Sequence, residues 1–311
     1  MTGRNAIRGM WCATLTPLAA SGAPDHRRLA EHSRRLLAIG VDGIVPFGTT
    51  GEGQSFSVAE RRAGVAALVD AGIPADRIVA ATGCAALPDT IELTRAAVES
   101  GCAGALVLPP FFFKDVGEDG LYAYYAQLIE AIADPRLALY LYHIPQVSAV
   151  AIPHDTIARL LRDFPGVVRG IKDSGGDLAH TKRLLARFPE LAVFVGHEPH
   201  LPAALAAGGA GTICGIANLY PRLVRRLHDA AGTGNFAADL ARVEAFIASL
   251  AGVPLFAAFK ALLAALYADP QWAAVRAPLM PLDPQALRAW MAALAAAGVD
   301  PQRDGAKVVS G

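Results

Sequence analysis

Short apolar runs alternate with longer amphipathic stretches over the first three quarters of this 311-residue chain. A short continuous apolar run bounded by turn residues is typical of a strand that is buried on both faces of a parallel sheet. The runs predict eight strands, at 11–15, 43–47, 78–81, 105–108, 137–142, 167–172, 192–195 and 211–214. The stretches between and after them repeat apolar residues with the period of a helix, which predicts helices at 25–39, 57–71, 88–100, 118–133, 153–163, 177–187, 199–207 and 220–231.

Eight strands, each followed by a helix, predict a closed parallel (β/α)8 barrel, the TIM barrel. An open doubly wound sheet uses the same alternation, but it commonly has fewer strands, and its glycine-rich turn follows the first strand. Here the glycine-rich turn, 48–53, follows the second. The strand pattern stops after residue 232, and three more helices are predicted, at 236–251, 254–267 and 284–297. The sequence therefore predicts a barrel over 1–232 and a C-terminal three-helix extension over 233–311, packed on the barrel.

The composition fits a folded protein with a large core, because hydrophobic residues are 53% of the chain and charged residues 18%. Its 28 basic and 28 acidic residues balance, which argues against nucleic acid or a membrane surface as a partner. Lys260 and Arg288 interrupt the most apolar C-terminal runs, which fall short of the ~18 apolar residues of a membrane-spanning helix. The N-terminus lacks the apolar segment of a secretory signal, and the four cysteines form no C-x-x-C pair. We therefore expect reduced thiols and a cytoplasmic protein.

Reactive side chains of a TIM barrel lie at the C-terminal ends of its strands. The sixth predicted strand ends in Gly170-Ile171-Lys172, and the alternation of strand side chains turns Lys172 toward the same face as Gly170. An ammonium facing the barrel interior is costly unless it is paired or loses its proton, and the neutral amine is the form that attacks a carbonyl. The alternative is a lysine whose amine reaches solvent from the strand end.

Two further strand ends carry candidate chemistry. Tyr142 ends the fifth predicted strand and faces inward by the same alternation. A phenol beside an imine can relay protons, although the same position also suits a packing aromatic. After the second strand, Gly48-Thr49-Thr50-Gly51 offers backbone N–H groups and two hydroxyls to a carboxylate or a phosphate. This turn lacks the Gly-Lys-Ser/Thr of a P-loop, and alone it also reads as an ordinary turn.

Together these segments resemble the dihydrodipicolinate synthase/N-acetylneuraminate lyase family. The resemblance extends over roughly residues 7–300 and is carried by G-T-T-G-E at 48–52, Y-H-I-P at 142–145, G-I-K-D-S at 170–174 and G-T-I-x-G-x-x-N at 211–218.

The resemblance implies roles for the matching residues. Lys172 would be the Schiff-base lysine and Tyr142 the proton relay. Gly48, Thr49 and Thr50 would hold the carboxylate of a 2-oxo acid, with the hydroxyl of Thr50 assigned to the relay. Ile213 and Gly215 would line the pyruvoyl site.

Two positions depart from family members that make dihydrodipicolinate. Those members carry a second tyrosine after the fourth strand, where this chain has Phe112, and an arginine after the Tyr-x-x-Pro turn, where this chain has Gln146-Val147-Ser148. Both losses predict weak activity as a dihydrodipicolinate synthase. His143 also stands where many relatives have asparagine.

The segment Gly196-His197-Glu198-Pro199-His200 allows three interpretations. Its side chains could bind a metal, although the spacing is not that of H-E-x-x-H. Glu198 could contact hydroxyls on the distal half of the substrate, as in sugar-acid-cleaving relatives. It could also lie in a solvated helix start, near the positive end of the helix dipole.

The resemblance implies a class I lyase or aldolase that interconverts a 4-hydroxy-2-oxo acid with pyruvate and an aldehyde, without a metal or organic cofactor. It also implies a homo-oligomer, a dimer or a tetramer. Three alternatives remain open: a dehydratase of a 3-deoxy-2-oxo sugar acid that uses the same lysine, a dihydrodipicolinate synthase, and a non-catalytic 2-oxo-acid-binding protein on the same barrel.

Overall fold

Eight parallel strands form a barrel in the computed structural model, which describes residues 6–231, 233–299, 301 and 305. The strands are β1 Gly9–Cys12, β2 Gly43–Ile44, β3 Val79–Ala81, β4 Gly104–Val107, β5 Leu139–His143, β6 Val168–Asp173, β7 Ala192–Val195 and β8 Gly211–Cys214. They are hydrogen-bonded in the order β2-β1-β8-β7-β6-β5-β4-β3, and a parallel bridge between Ile44 and Ile78 joins the two ends of this sheet. The predicted (β/α)8 barrel is confirmed.

Helices surround the barrel at nearly the predicted positions. They are α1 His26–Ile39, α2 Val58–Asp70, α3 Leu87–Glu99, α4 Glu118–Ile132, α5 Pro145–Ser148, α6 His154–Asp163, α7 Leu178–Arg187, α8 Leu201–Ala206, α9 Pro221–Ala230, α10 Ala237–Ser249, α11 Leu255–Tyr267 and α12 Pro284–Ala296. The side chain of Ser57 caps α2, and Glu60 reaches back to the Ser57 backbone, which completes a capping box. The short helix α5 follows the fifth strand and was not predicted.

Large side chains fill the interior of the barrel below its mouth. Trp11, Tyr140 and Phe194 are buried there, and the rings of Tyr140 and Phe194 meet edge to face at 6.3 Å. Gly43 makes room for this packing, because a Cβ at that position would lie 2.1 Å from the Trp11 ring. The barrel is therefore a packed core, and a binding site can form only where the strands end.

The C-terminal helices α10, α11 and α12 share a hydrophobic core with one side of the barrel. Phe246, Phe259 and Trp290 from these helices pack in one cluster with Cys12 of β1 and Cys214 of β8. The division into 1–232 and 233–311 stays a prediction, and Gly232 lies outside the described residues. Among those residues, no helix is long and apolar enough to cross a membrane.

A buried ion pair joins the turn after β2 to α11. Glu52 and Lys260 form this pair, and neither side chain is exposed to solvent. The Lys260 ammonium also donates to the carbonyl of Ala274 at 2.8 Å. Burial lowers the pKa of Lys260, and the carboxylate of Glu52 opposes that shift. The pair thus fixes the turn that carries Thr49 and Thr50 against the C-terminal extension.

Candidate active site

Lys172 lies at the mouth of the barrel with its amine buried. The residue is 5% exposed, so the alternative of a lysine that reaches solvent is wrong. Lys172 pairs in register with Tyr142 on the neighbouring strand β5, which places both side chains on the same face. The Lys172 Nζ donates to the Tyr142 hydroxyl oxygen at 3.2 Å and lies 4.3 Å from the centre of the ring.

A second hydroxyl continues this contact across the cavity. The Tyr142 and Thr49 hydroxyls are hydrogen-bonded at 3.2 Å, so Lys172, Tyr142 and Thr49 form an unbroken chain. The structure thus brings the Thr49 hydroxyl to Tyr142, whereas the assignment of the relay hydroxyl to Thr50 stays a prediction. Consecutive residues of the turn point in different directions, and the Thr50 side chain lies instead against Gly215.

One cavity of about 360 Å³ collects most of the site residues proposed from the sequence. It is lined by Thr49, Thr50, Tyr142, Lys172, Glu198, Ile213 and Gly215. Gly48 lines a neighbouring cavity of about 350 Å³ instead, which shares Thr49 and Tyr142 with the first. The backbone of Gly48 is therefore not in the cavity that holds the lysine.

Two glycines allow side chains of the site to pack directly against the backbone. A Cβ on Gly215 would lie 2.9 Å from the Thr50 hydroxyl, and a Cβ on Gly196 would lie 1.9 Å from the hydroxyl of Ser174 and 3.1 Å from Cε of Lys172. Any larger residue would displace these side chains. The glycines thus hold Thr50, Ser174 and Lys172 in their positions around the cavity.

Glu198 is a buried carboxyl in the wall of this cavity. It is 6% exposed, so the interpretation as a solvated helix start is wrong. The backbone N–H of Ile216 donates to its Oε1 at 3.4 Å. Burial raises the pKa of Glu198, while this hydrogen bond and the charge of Lys172 partly oppose the shift. A carboxyl in this state can accept or donate a hydrogen bond to a substrate hydroxyl.

His197 also lines the cavity, and its ring centre lies 4.6 Å from that of His200. Burial lowers the pKa of His197, and the neighbouring His200 adds to this effect. A neutral imidazole therefore faces the cavity at neutral pH.

The C-terminal extension contributes apolar residues that the sequence interpretation missed. Ile247, Leu250, Leu255, Phe256 and Phe259 close one side of the cavity. No motif marks them, because they reach the site only through the packing of α10 and α11 on the barrel. No arginine is among the described residues that line this cavity.

His143 and Phe112 lie outside the cavity. The Nδ1 atom of His143 accepts from the backbone N–H of Ile152 at 3.2 Å, and burial lowers the pKa of His143 to about 4. Phe112 and Phe113 are 71% and 70% exposed, on the loop between β4 and α4. Phe112 therefore offers nothing to Lys172 of its own chain.

Comparison with known proteins identifies one family over almost the whole chain. Residues 6–297 match the dihydrodipicolinate synthetase family. A protein of Chloroflexus aurantiacus named "Uncharacterized DapA-like lyase" is 39% identical over 289 residues, which cover 92% of this chain and 95% of that protein. The 4-hydroxy-tetrahydrodipicolinate synthase 1 of Streptomyces coelicolor is 36% identical, and the match covers 91% of each chain.

The crystal structure of dihydrodipicolinate synthase from Agrobacterium tumefaciens superposes with a TM-score of 0.86 at 33% identity, over 93% of this chain and 98% of that one. Fold, strand-end residues and sequence similarity agree. The chain belongs to the dihydrodipicolinate synthetase family and is a lyase on a TIM barrel.

Proposed function

We propose that this lyase is a class I aldolase that forms an imine between Lys172 and a 2-oxo acid such as pyruvate. The observation that carries the proposal is the hydrogen-bonded chain of Lys172, Tyr142 and Thr49 in one cavity at the mouth of the barrel. An amine nucleophile, a proton relay and room for a small acid are the parts that such chemistry needs. No metal or organic cofactor enters the proposed reaction.

The first half of the reaction builds an electron sink. Thr50 and the neighbouring turn hold the carboxylate, and the Lys172 amine adds to the C2 carbonyl. The resulting carbinolamine loses water, with Tyr142 supplying and removing the protons, and leaves a protonated imine.

The second half breaks the C3–C4 bond of a 4-hydroxy-2-oxo acid. The 4-hydroxyl gives its proton to the relay, the bonding electrons move into the iminium to form an enamine, and an aldehyde leaves. The enamine is protonated at C3, and water releases pyruvate and restores the amine. The reverse sequence forms the bond.

Glu198 and His197 are proposed to recognise the part of the substrate beyond C4. Both line the cavity that holds Lys172, and both offer polar atoms for hydroxyl groups. The apolar side chains of α10 and α11 close the opposite side. A 2-oxo acid with hydroxyl groups beyond C4 fits this arrangement of a polar and an apolar wall better than a second substrate that carries a carboxylate.

Borohydride trapping tests the imine directly. The protein is mixed with pyruvate, reduced with borohydride, digested and mapped by mass spectrometry. We expect a pyruvoyl-derived mass on the peptide that contains Lys172. Lys260 provides an internal control, because it is a second buried lysine that is held in an ion pair. An unmodified Lys172 peptide at saturating pyruvate would refute the mechanism, and Lys172→Ala should abolish turnover while the fold remains.

A substrate panel separates the alternatives. Cleavage of 4-hydroxy-2-oxo acids is compared with loss of water from 3-deoxy-2-oxo sugar acids, and with condensation of pyruvate and aspartate semialdehyde. We expect cleavage to dominate, because no arginine is among the described residues that line the cavity and could bind a second carboxylate. Val147, in the segment where dihydrodipicolinate-forming members of the family carry an arginine, is uncharged. A condensation with kcat/KM above ~10⁴ M⁻¹s⁻¹ that exceeds every cleavage rate would overturn this specificity.

We also propose that the chain forms a homodimer or a homotetramer. The support is the pair Phe112 and Phe113, whose rings meet edge to face at 5.2 Å on the surface. Such an aromatic pair is better accommodated in an interface than in water. Light scattering on the purified protein gives the mass that tests this assembly.

A further inference from the structure

Three histidines and one aspartate meet on the outer side of β5 and β6, away from the cavity that holds Lys172. Asp173 directly follows Lys172, and its side chain points to the helices instead of the barrel interior. Its Oδ2 accepts a hydrogen bond from Thr181 at 2.7 Å and lies 3.0 Å from Nδ1 of His180. We call His143, His154, His180 and Asp173 the histidine cluster.

The hydrogen-bond partners fix the tautomer of His180. The carboxyl oxygens of Asp173 accept hydrogen bonds from the Thr181 hydroxyl at 2.7 Å and from the Gly175 backbone N–H at 3.1 Å. Because Oδ2 of Asp173 accepts, Nδ1 of His180 is the ring nitrogen that carries the hydrogen, which leaves Nε2 as the nitrogen for a metal ion. That nitrogen faces His154, whose Nε2 lies 3.3 Å away.

This separation matches two ligands of one tetrahedral metal ion. Two nitrogens that are each 2.0–2.1 Å from a tetrahedral Zn²⁺ lie about 3.3 Å apart. A carboxylate on the remote ring nitrogen is also the usual partner that orients a metal-binding histidine. Here Asp173 already holds His180 in the tautomer that a metal requires.

We propose that His154 and His180 bind a divalent transition-metal ion through their Nε2 atoms, with Asp173 as the residue that positions His180. On binding, the proton on Nε2 of His154 moves through water to Nδ1, so the imidazole stays neutral and its lone pair faces the ion. Water molecules complete the coordination. The site lies outside the cavity with the proposed imine, and no step of that reaction passes through it.

His143 belongs to the cluster but is not a ligand. One ligand atom from each of His143, Asp173 and His180 lies within 4.8 Å of the others, which suggests a different ligand set. However, Nδ1 of His143 already accepts from the Ile152 N–H, so its other nitrogen carries the hydrogen. Its ring stacks on that of His180, with centres 4.5 Å apart and planes at 19°. This makes His143 a matched control.

The surroundings suit a partly solvated cation. The cluster opens onto a cavity of about 530 Å³, which leaves room for the waters. Two arginines lie nearby, and each is paired with a carboxylate: Arg183 with Asp177 at 3.5 Å, and Arg187 with Asp155 at 2.5 Å. Asp173 therefore adds a negative charge that these arginines do not balance.

Metal titration of the full-length protein tests the proposal. The protein is freed of metal with a chelator and titrated with Co²⁺, whose visible absorption reports its coordination, and Zn²⁺ is then added in competition. We expect one Co²⁺ per chain at saturation. His154→Gln and His180→Gln should each weaken Zn²⁺ binding about tenfold or more, since each removes a ligand.

Two controls use histidines of the same chain. His143→Asn should keep the affinity within about twofold, because it removes a stacking ring and no ligand. His200→Gln should also keep the affinity within about twofold, because His200 pairs with His197 and only its charge interacts with Asp173. His154 and His180 are both half-buried, so both variants are expected to fold, and circular dichroism of each variant checks this.

Two outcomes would overturn the site. The first is no saturable binding, which would leave an ordinary N–H···N hydrogen bond between the rings. The second is binding that His154→Gln does not change. Trapping with pyruvate on the metal-free protein is run in parallel, so a failure of the metal site and a failure of the imine mechanism are read separately.

Discussion

Removing one charge from the buried pair Glu52–Lys260 should destabilise the protein more than removing both. In Lys260→Met the carboxylate of Glu52 stays buried without its partner, because both side chains are fully shielded from solvent. Breaking a buried pair in this way typically costs about 3–5 kcal/mol. Glu52→Gln leaves the Lys260 ammonium with the Ala274 carbonyl as a partner, so we expect a loss near the lower end of that range.

The double variant Glu52→Gln/Lys260→Met separates charge from packing. With neither charge present, no unpaired charge is buried. We therefore expect the free energy of unfolding to fall by about 1–3 kcal/mol, which is less than the sum of the losses in the two single variants. The exposed pair Arg62–Glu92 provides the matched control, since its side chains are 52% and 49% exposed. Arg62→Met should cost less than about 1 kcal/mol.

Urea unfolding followed by tryptophan fluorescence and circular dichroism gives the free energies of unfolding for all four variants. The buried pair does not have this role if Lys260→Met loses no more stability than Arg62→Met, or if the double variant loses the full sum of the two single losses. Pyruvate trapping on the same samples checks whether the Thr49–Thr50 turn keeps its function, since Glu52 follows that turn directly.

Three further predictions concern the site and the core. Tyr142→Phe should lower kcat by ~10²–10⁴ with little change in KM, because the hydroxyl is proposed to move protons in the transition state, and a loss of only a few-fold would make Tyr142 a packing residue. Gly215→Ala should raise KM for pyruvate, because its Cβ would lie 2.9 Å from the Thr50 hydroxyl, whereas Gly120→Ala, with open space at that position, should not. His32 has a pKa lowered by burial from 6.5 to about 4, so the free energy of unfolding should fall by about 3 kcal/mol as the pH drops from 6.5 to 4. His32→Gln should remove that part of the slope, and an unchanged slope would contradict the assignment.

Local sequence pattern was enough to place the barrel strands where apolar runs are clean. Both β7 and β8 begin and end at the predicted residues, because turn residues bound each run. The strand β2 was predicted to continue to Phe47 and stops at Ile44. Pro46 has no N–H for a sheet hydrogen bond, and Phe47 adopts the left-handed conformation with φ 59°. The pattern of hydrophobic residues predicts neither the missing N–H of Pro46 nor the left-handed backbone of Phe47.

The contacts between distant segments that complete the site are harder to predict from the sequence than the strands are. Lys172 and Tyr142 follow from strand alternation, but the turn between β2 and α2 decides which of two adjacent threonines reaches the phenol. Phe256 and Phe259 enter the cavity only because α11 packs on the barrel, and no periodicity in α11 specifies that contact.

The two sides of the proposed site differ in how firmly their strands are bonded. Lys172 lies on the firmly bonded strand β6, and the turn with Thr49 and Thr50 follows β2, the shortest strand of the barrel. Strand β6 pairs in register with β5 on one side and β7 on the other. By contrast, β2 has two residues, and the Ile44–Ile78 bridge and one hydrogen bond from Ala81 to Pro46 hold it to the β3 side. Local opening costs least where few backbone hydrogen bonds must break, so amide exchange should be faster at this seam than beside the lysine.

The turn proposed to hold the carboxylate follows that seam directly. We expect it to adjust to 2-oxo acids of different width while Lys172 stays in place, with the Glu52–Lys260 pair limiting how far the turn moves. A barrel built in this way can acquire new substrates through changes along the seam and leave its central reaction intact.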